Sequence, residues 1–582
     1  MRLILLTLLL STMISAAQET KTAATLPDQA ELKKMTARFA PTPLNVDISK
    51  LSPGDSKALV KIIAAAKLLN HLFMNQFWSG NVALYQKLEQ DPTPLGAARR
   101  HYFRINKGPW SEIDEHKVFV PGAPDKKPLG ANFYPEDMTK EEFEAWVKTL
   151  SAGDKEKAEG FFTVIRRDGG KLKMVPYSQE YKDDLKEAAK LLREAADLTD
   201  NASLKKFLTT RAAAFSSDDY YESDMAWMDL DAPLDITFGP YETYNDELFG
   251  YKAAFEAYVN VRDDKETEKL GFLGQHLQEI ENNLPEDPKY RTKLGALAPL
   301  RVVNEVFSAG DGSHGVQTAA YNLPNDDKVV QQKGSKRVML KNIQEAKFKA
   351  TLVPISRVVL SPAAQKDLNF DLFFTHIVAH ELTHGLGPHQ IELNGKATNP
   401  RLELKELYSA IEEAKADVTG LFALQFLMTQ TEKGLIKSPL PNGPDAERKL
   451  YTTYLASSFR TLRFGLQDAH AKGMAMQFNY LLDKGAYIAN ADGTFSVNLD
   501  KIKDAVRSLD HDLLTLEATG DYNGTKKMLT ELSVIRPVVR RALDSLKAVP
   551  TDIEPLFVTA DFLAPESPAR DHSRPHSGHR SK

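Results

Sequence analysis

The densest group of potential metal ligands lies in the stretch VAHELTHGLGPHQ, residues 378–390. His380 and His384 are four residues apart, so on a helix both project from one face and can bind the same ion. Glu381 lies between them, where a carboxylate can orient and deprotonate a zinc-bound water. These residue types at this spacing predict a catalytic zinc site on a helix.

A catalytic zinc site needs a third protein ligand and leaves a further position for water. The pattern HExxHxxGxxH would require a histidine at position 390, but that residue is Gln390, and His389 comes one position early. His376 precedes His380 by one turn, and three ligands in line along one helix cannot converge on a tetrahedral ion. We therefore expect His376 to pack or to form a hydrogen bond. The third metal ligand must come from another part of the chain.

The better candidate lies in EEAKAD, residues 412–417, within a segment, 401–427, whose apolar residues recur at helical spacing. Glu413 and Asp417 share one helix face, so one carboxylate can bind zinc while the other orients a ligand histidine. The alternative is a solvated acidic stripe, which the flanking apolar residues disfavour. The sequence thus predicts one Zn²⁺ per chain, bound by His380, His384 and Glu413.

The elements that position these residues are predicted to be mostly helical. Helical patterns occur in 51–78, 130–150, 179–215 and nearly all of 365–545. Strand patterns occur at 231–246 and 255–264; 316–328 resembles a strand that runs into a loop, and 350–360 a strand or an extended segment. Thr139 and Glu142 form a capping box that begins a helix. The prediction is a predominantly α-helical α+β fold with a small β-rich part, and 582 residues favour two or more lobes.

Composition narrows the classes of function. The formal net charge is -5, and the basic residues are not concentrated on one predicted face, so no nucleic-acid partner is expected. The chain contains no cysteine, which excludes disulfides, thiol catalysis and cysteine-ligated metals. Any zinc must therefore be bound by histidine and carboxylate groups.

The two termini differ from the rest of the chain. Residues 1–17 combine a basic start, the apolar run LILLTLLLSTMI and small residues, which is typical of a secretory signal peptide. The run is too short to span a membrane comfortably, so we expect export to a bacterial periplasm or secretion, with no integral span after signal removal. Residues 565–582 are poor in apolar residues and are predicted to be disordered.

HELTHG followed by EEAKAD resembles the dipeptidyl peptidase III family of zinc metallopeptidases, peptidase family M49. Further similar stretches are GPYETYNDELFGYKAAFEAYV (239–259), AAYNLPNDDK (319–328) and QDAHAKGMAMQFNYLLDKGA (467–486). KGPW (107–110) and GANFYPEDMTKEEFEAW (130–146) resemble the branch found in bacteria and in plant proteins fused to a Nudix domain. The resemblance extends over most of the chain, although no Nudix-type glutamate motif is present.

The resemblance implies roles for individual residues. Glu413 would bind zinc, and Glu412 and Asp417 would brace the ligand histidines. Tyr244 would donate a hydrogen bond to the scissile carbonyl, and His470 would stabilise the oxyanion that forms when water attacks an amide. Residues that would hold the free N-terminus of a peptide are Glu242, Glu256, Asn322 and Asn325.

The resemblance also implies two lobes around a wide cleft, one helical and zinc-bearing, the other built around a small β-barrel. The implied lower lobe comprises 18–262, 306–350 and 546–564; the implied upper lobe comprises 263–305 and the helical catalytic part 351–545. Closure of the lobes on a peptide would expel water.

The implied activity is release of dipeptides from the N-termini of short peptides, with Glu381 activating the water. The alternatives are a zinc aminopeptidase or oligopeptidase with looser register, and a weakly active zinc-bearing peptide-binding protein. Three departures from the family pattern bear on this choice: the five-residue HELTH in place of a six-residue motif, one extra residue between Tyr244 and Glu256, and Met474 in place of a basic residue. The sequence predicts neither the natural peptides nor the oligomeric state.

Overall fold

The computed structural model describes residues 26–295 and 299–565. The predicted signal peptide, 1–17, and the predicted disordered tail beyond Pro565 lie outside the described residues.

A five-stranded mixed sheet that curls into a half-barrel forms the centre of one lobe. In spatial order its strands are Leu234–Glu242, Ala254–Arg262, Leu300–Gly310, Lys336–Leu340 and Ala320–Leu323. The pairing is antiparallel except between the third and fourth strands, which run parallel. Nearly every residue of the first two strands is buried, because helices pack on the sheet, and the buried residues include the polar Asp235, Thr237, Glu256 and Asn260.

Helices and short strand pairs surround this sheet. The helices are Gln29–Thr36, Pro53–Phe77, Asn81–Glu89, Pro94–Asn106, Lys140–Val147, Ala152–Ala158, Tyr177–Glu180, Lys182–Leu198, Ala202–Ser217, Tyr221–Met228, Asp327–Lys333, Lys341–Lys347 and Val558–Leu563. The paired strands are Phe39–Pro43 with Asp552–Leu556, Trp110–Ser111 with Lys117–Val118, and Thr163–Asp168 with Lys171–Pro176. Asp552–Leu556 therefore joins a late segment of the chain to the lobe that contains Phe39–Pro43.

The other lobe is almost wholly helical. Its helices are Asp264–Gln275, Leu277–Glu281, Val353–Val359, Phe370–Thr383, Pro400–Leu404, Tyr408–Glu432, Gly443–Leu462, Ala469–Asp483, Leu499–Thr519, Tyr522–Leu532 and Pro537–Asp544. Two small hairpins interrupt them, Ile391–Leu393 with Lys396–Thr398 and Tyr487–Ala489 with Phe495–Val497.

Two hydrophobic cores correspond to the two lobes. The first is built from side chains of 32–259, 303–346 and 553–560, and the second mainly from side chains of 270–284 and 348–549. The predicted α+β fold with a helical lobe and a sheet-based lobe is thus confirmed. The individual domain boundaries given above stay a prediction.

One described helix, Pro53–Phe77, is long and apolar enough to cross a membrane by length and composition alone. It packs against Lys182–Leu198 and the central sheet, and its apolar side chains form part of the first core. Its apolarity is therefore accounted for by burial inside the lobe.

Two local predictions were wrong in detail. The strand or extended segment expected at 350–360 is instead a wide helical turn, Phe348–Leu352, followed by the helix Val353–Val359. Leu352, Ile355 and Val359 are fully buried at helical spacing, so core packing overrides the β preference of this valine-rich segment. The helix expected over 401–427 is interrupted at Lys405, which has φ +54°, and resumes at Tyr408.

Candidate active site

Two packed helices carry the predicted metal ligands. The histidine helix, Phe370–Thr383, begins at Asn369, whose side chain accepts a hydrogen bond from the backbone N–H of Leu372. It packs against the carboxylate helix, Tyr408–Glu432. Gly420 allows the close approach, because a Cβ at this position would lie 3.2 Å from the backbone nitrogen of His380. The two motifs are thereby brought face to face.

His380, His384 and Glu413 converge on one point, with their ligand atoms within 4.8 Å of one another. Nε2 of His380 lies 3.2 Å from Nε2 of His384 and 3.4 Å from Oε2 of Glu413. Nε2 of His384 lies 3.8 Å from the same Glu413 oxygen. Within residues 26–295 and 299–565, this is the group of three such side chains that could hold a metal ion.

Each ligand histidine is oriented by a carboxylate of the neighbouring helix. Nδ1 of His380 donates to Oδ1 of Asp417 at 2.8 Å, and Nδ1 of His384 donates to Oε1 of Glu412 at 2.8 Å. In the deprotonated imidazoles this arrangement leaves both Nε2 lone pairs directed at the shared point. Asp417 and Glu412 thus lie where the bracing role needs them.

The donor set fits a divalent cation such as zinc. Oε2 of Glu413 is buried and has no hydrogen-bond partner among the described residues, although imidazole nitrogens surround it. Two imidazole nitrogens and one carboxylate oxygen are the ligands that catalytic zinc sites use. Burial lowers the pKa of His380, but the charge and hydrogen bond of Asp417, the hydrogen bond of Glu413 and the charge of Glu381 outweigh it and raise the pKa to about 10.

Two further polar side chains border the metal group. Glu381 is half-buried and close enough to His380 for its charge to raise the pKa of that histidine, and no hydrogen bond or ion pair to another described residue holds its carboxylate. Nε2 of His470, on the helix Ala469–Asp483, lies 3.1 Å from Oε2 of Glu413, and the His470 side chain is 64% exposed. His470 therefore faces both the metal group and the solvent.

The two rejected histidines lie outside the group. Nε2 of His376 donates to the backbone carbonyl of Asp417 at 3.0 Å, and the side chain is buried, as predicted for a packing residue. His389 is exposed beyond the end of the histidine helix. His389, one residue before the position that HExxHxxGxxH requires, is therefore not part of the group that could bind the metal.

The predicted substrate-binding residues lie together in the other lobe. They line a cavity of about 580 Å³, and the lining side chains include Glu112, His116, Lys127, Glu242, Tyr244, Glu256, Asp311, His314, Asn322 and Asn325. Nδ2 of Asn325 donates to the backbone carbonyl of Tyr241 at 2.9 Å. Oε1 of Glu256 is buried without a hydrogen-bond partner in the described part of the chain.

Crowded carboxyl groups make this cavity acidic. Burial, together with the charge of Asp311, raises the pKa of Glu242 to about 7. Burial and the charges of Glu242 and Asp311 raise the pKa of Glu256 well above its usual range. An ammonium group placed here would relieve this repulsion and supply the missing hydrogen bonds.

The structure keeps the two sets of predicted residues apart. The metal group and His470 lie on helices of the second core, whereas Tyr244 lines the acidic cavity and its side chain is 79% exposed. No described contact joins Tyr244 to His380, His384 or Glu413. A role for Tyr244 at the scissile carbonyl therefore requires a substrate or a lobe movement to bring the two sets together.

The sequence prediction missed residues that support the site from outside the motifs. Asp311 joins the cavity from a turn after a strand, and Gln477 donates to Oδ2 of Asp417 at 3.0 Å. No sequence pattern around either residue indicates its role in the site. Lys415 is also buried against Glu412, and its position inside EEAKAD, one turn after Glu412, was a signal that could have been used.

The chain is similar in sequence to known proteins. The sequence model of peptidase family M49 matches residues 138–400. Nudix hydrolase 3 of Arabidopsis thaliana is 43% identical over 584 residues, covering 91% of this chain and 74% of the plant protein.

Two solved structures share the fold at substantial sequence identity. The structure of DPP III from Caldithrix abyssi is 46% identical with a TM-score of 0.87, and covers 91% of this chain and 100% of that one. The structure of dipeptidyl-peptidase III from Corallococcus sp. strain EGB is 53% identical with a TM-score of 0.76, covering 93% and 99%. With this likeness in sequence and fold, and with a group of residues that could bind a metal between two packed helices, the chain belongs to peptidase family M49, the dipeptidyl peptidase III family, and is a metallopeptidase.

Proposed function

We propose that this peptidase is a zinc-dependent exopeptidase that releases dipeptides from the N-termini of short peptides. The observation that carries the proposal is the convergence of His380, His384 and Glu413, with Glu381 close enough for its charge to act on His380. The acidic cavity in the other lobe adds a second support, because it suits a peptide's free ammonium group. One zinc ion per chain would be bound by the three ligands.

Zinc, when bound, supplies Lewis acidity that polarises the scissile carbonyl and makes water more acidic. Glu381 accepts the proton of the attacking water and passes it to the leaving amine. Nε2 of His470 donates to the oxyanion as negative charge develops on the carbonyl oxygen. Asp417 and Glu412 hold the two ligand imidazoles in fixed orientation during these steps.

The acidic cavity would set the register of cleavage. Glu242 and Glu256 accept hydrogen bonds from the peptide ammonium, and the carbonyl oxygens of Asn322 and Asn325 complete its shell. Tyr244 would reach the scissile carbonyl when the lobes close on the peptide, and the closed site would exclude water. An ammonium fixed at a set distance from Glu381 selects one peptide bond, which we propose is the second.

The second candidate function is a peptidase with a looser register of cleavage, and one observation favours it. Met474 is buried beside Tyr454 rather than exposed in the cleft, so no basic side chain at this position meets the peptide beyond the scissile bond. Weaker contacts on that side would permit aminopeptidase or oligopeptidase activity. Arylamides carrying a dipeptide, a single amino acid or a blocked N-terminus separate these activities directly.

The decisive experiment compares wild type with Glu381→Gln on these three arylamides and measures bound zinc. We expect hydrolysis of the dipeptidyl arylamide, a loss of about 10²–10⁴-fold in kcat for Glu381→Gln, and unchanged zinc content. The exposed Glu392→Gln is the matched control and should keep full activity. Bound zinc without hydrolysis that depends on Glu381 would instead identify a peptide-binding protein.

We also propose that the protein is exported to a periplasm or secreted, on the strength of residues 1–17 alone. Mass spectrometry of the N-terminus after expression in a bacterium with a periplasm tests this. Cleavage near residue 17 is the expected result, and an intact cytoplasmic N-terminus would contradict export.

A further inference from the structure

Lys415 is a fully buried lysine next to the metal group, with a side chain that is 0% exposed. Its Nζ lies 3.0 Å from Oε1 of Glu412. That same oxygen accepts the hydrogen bond from Nδ1 of His384 at 2.8 Å. One carboxylate oxygen therefore connects the lysine directly to the partner of a metal ligand.

The same ammonium also binds the backbone around His384. Nζ of Lys415 donates to the carbonyl of Leu386 at 3.0 Å and to the carbonyl of Thr383 at 3.3 Å. These two residues flank His384, which is the C-terminal cap of the histidine helix. The last carbonyls of a helix have no partner within the helix, and a cation placed there satisfies and stabilises them.

The two ligand histidines differ in how they are supported. His380 lies inside the helix, and its partner Asp417 accepts from the neutral amide of Gln477 at 3.0 Å. His384 lies at the helix end, where the backbone frays most readily. Because the helix ends at Thr383 and His384 is its cap residue, His384 depends more than His380 on contacts from outside its own helix.

We propose that Lys415 is a positioning residue of the metal centre. It fixes the Glu412 carboxylate and the turn from Thr383 to Leu386 together, so that Nε2 of His384 faces Glu413. The inference rests on the proposed zinc-dependent function. A merely structural role is the alternative, because Asp510 and Glu517 also lie close enough to act on the ammonium electrostatically.

A matched control exists in the other lobe. Lys252 is equally buried, and its Nζ donates to the carbonyls of Ala158 and Gly160 and to Oγ1 of Thr163. It has the same type of backbone contacts but touches neither a metal ligand nor a ligand's partner. Lys252→Met therefore reports what losing a buried, carbonyl-bound ammonium does to stability alone.

The experiment measures zinc affinity by chelator competition, the visible spectrum of the Co²⁺-substituted protein, and the Tm of the metal-free protein. We expect Lys415→Met to weaken zinc binding about 10–100-fold and to alter the Co²⁺ spectrum. Lys415→Arg, which keeps the charge and several donors, should recover part of the affinity. Lys252→Met should lower Tm but keep the zinc affinity of the wild type.

The inference is overturned if Lys415→Met binds zinc as tightly as wild type and only its Tm falls. If Lys415→Met does not fold, Lys415→Met with Glu412→Gln removes both charges of the pair and is compared with Glu412→Gln alone. Weaker zinc binding by the double variant supports positioning of the turn, and equal binding overturns it. Wild type that binds zinc without releasing dipeptides would contradict the proposed function, while these affinity comparisons would still test Lys415.

Discussion

Nε2 of His470 lies 3.1 Å from Oε2 of Glu413, so the candidate oxyanion donor and the candidate third metal ligand are in contact across two helices. That oxygen has no hydrogen-bond partner among the described residues, and the His470 side chain is 64% exposed. The imidazole therefore lies beside the metal group, within reach of a substrate oxygen placed there.

Replacement of His470 should reduce catalysis without removing the metal. We expect His470→Ala to lower kcat about 10²–10³-fold, the usual loss when one oxyanion donor is removed, and to leave zinc content at one per chain. Steady-state kinetics and metal analysis measure the two effects. His511→Ala, an exposed histidine on another helix, is the control; zinc loss in His470→Ala would show instead that His470 is a ligand.

Replacement of Glu413 should remove the metal. Glu413→Ala deletes one of three protein ligands, so we expect zinc to be lost on dialysis against a weak chelator and activity to fall with it. His389→Ala is the control, because this exposed histidine lies off the metal point. Metal analysis after dialysis distinguishes the two, and retention of zinc by Glu413→Ala would contradict the ligand assignment.

The hydrogen bond from His380 to Asp417 should contribute to metal affinity. Asp417→Asn keeps the shape but removes the charge that orients the imidazole, and we expect zinc affinity to fall about 10–100-fold. Chelator competition gives the value. Asp55→Asn is the control, since Asp55 is also buried and hydrogen-bonded but pairs with Thr199 in the other lobe; an equal loss of zinc affinity there would point to a general loss of folding.

The acidic cavity should impose a pH dependence on substrate binding. The pKa of Glu242 is raised to about 7, mainly by burial and then by the charge of Asp311, so below pH 7 this group is largely protonated and binds an ammonium poorly. We expect kcat/KM for free peptides to rise with pH through about 7 and to fall above about 8 as the peptide amine loses its proton.

Glu242→Gln should lower kcat/KM and flatten the rise near pH 7, because the variant carries no titrating carboxyl at this position. Initial rates at several pH values, with wild type in the same buffers, supply the comparison. The carboxyl groups of Glu256 and Asp311 share the cavity, so the measured pKa belongs to the group as a whole. A profile that is identical in wild type and variant would remove Glu242 from ammonium binding.

The sequence by itself determined the local part of the site. HELTH places His380, Glu381 and His384 within one helical turn, and EEAKAD does the same for Glu413 and its neighbours, because i and i+4 positions share a face whatever the surroundings. The sequence also predicted a helix cap: the side chain of Thr139 accepts a hydrogen bond from the backbone N–H of Glu142, as its position indicated. Local geometry needs no information about the rest of the chain.

Only the tertiary structure decided which groups meet across elements. It paired Asp417 with His380 and Glu412 with His384, and it placed Lys415 on Glu412 and the helix end at once. It also made a helix of 353–359, where valines suggested a strand, because buried positions there recur at helical spacing. Such outcomes depend on packing between segments distant in the chain, which residue spacing alone does not encode.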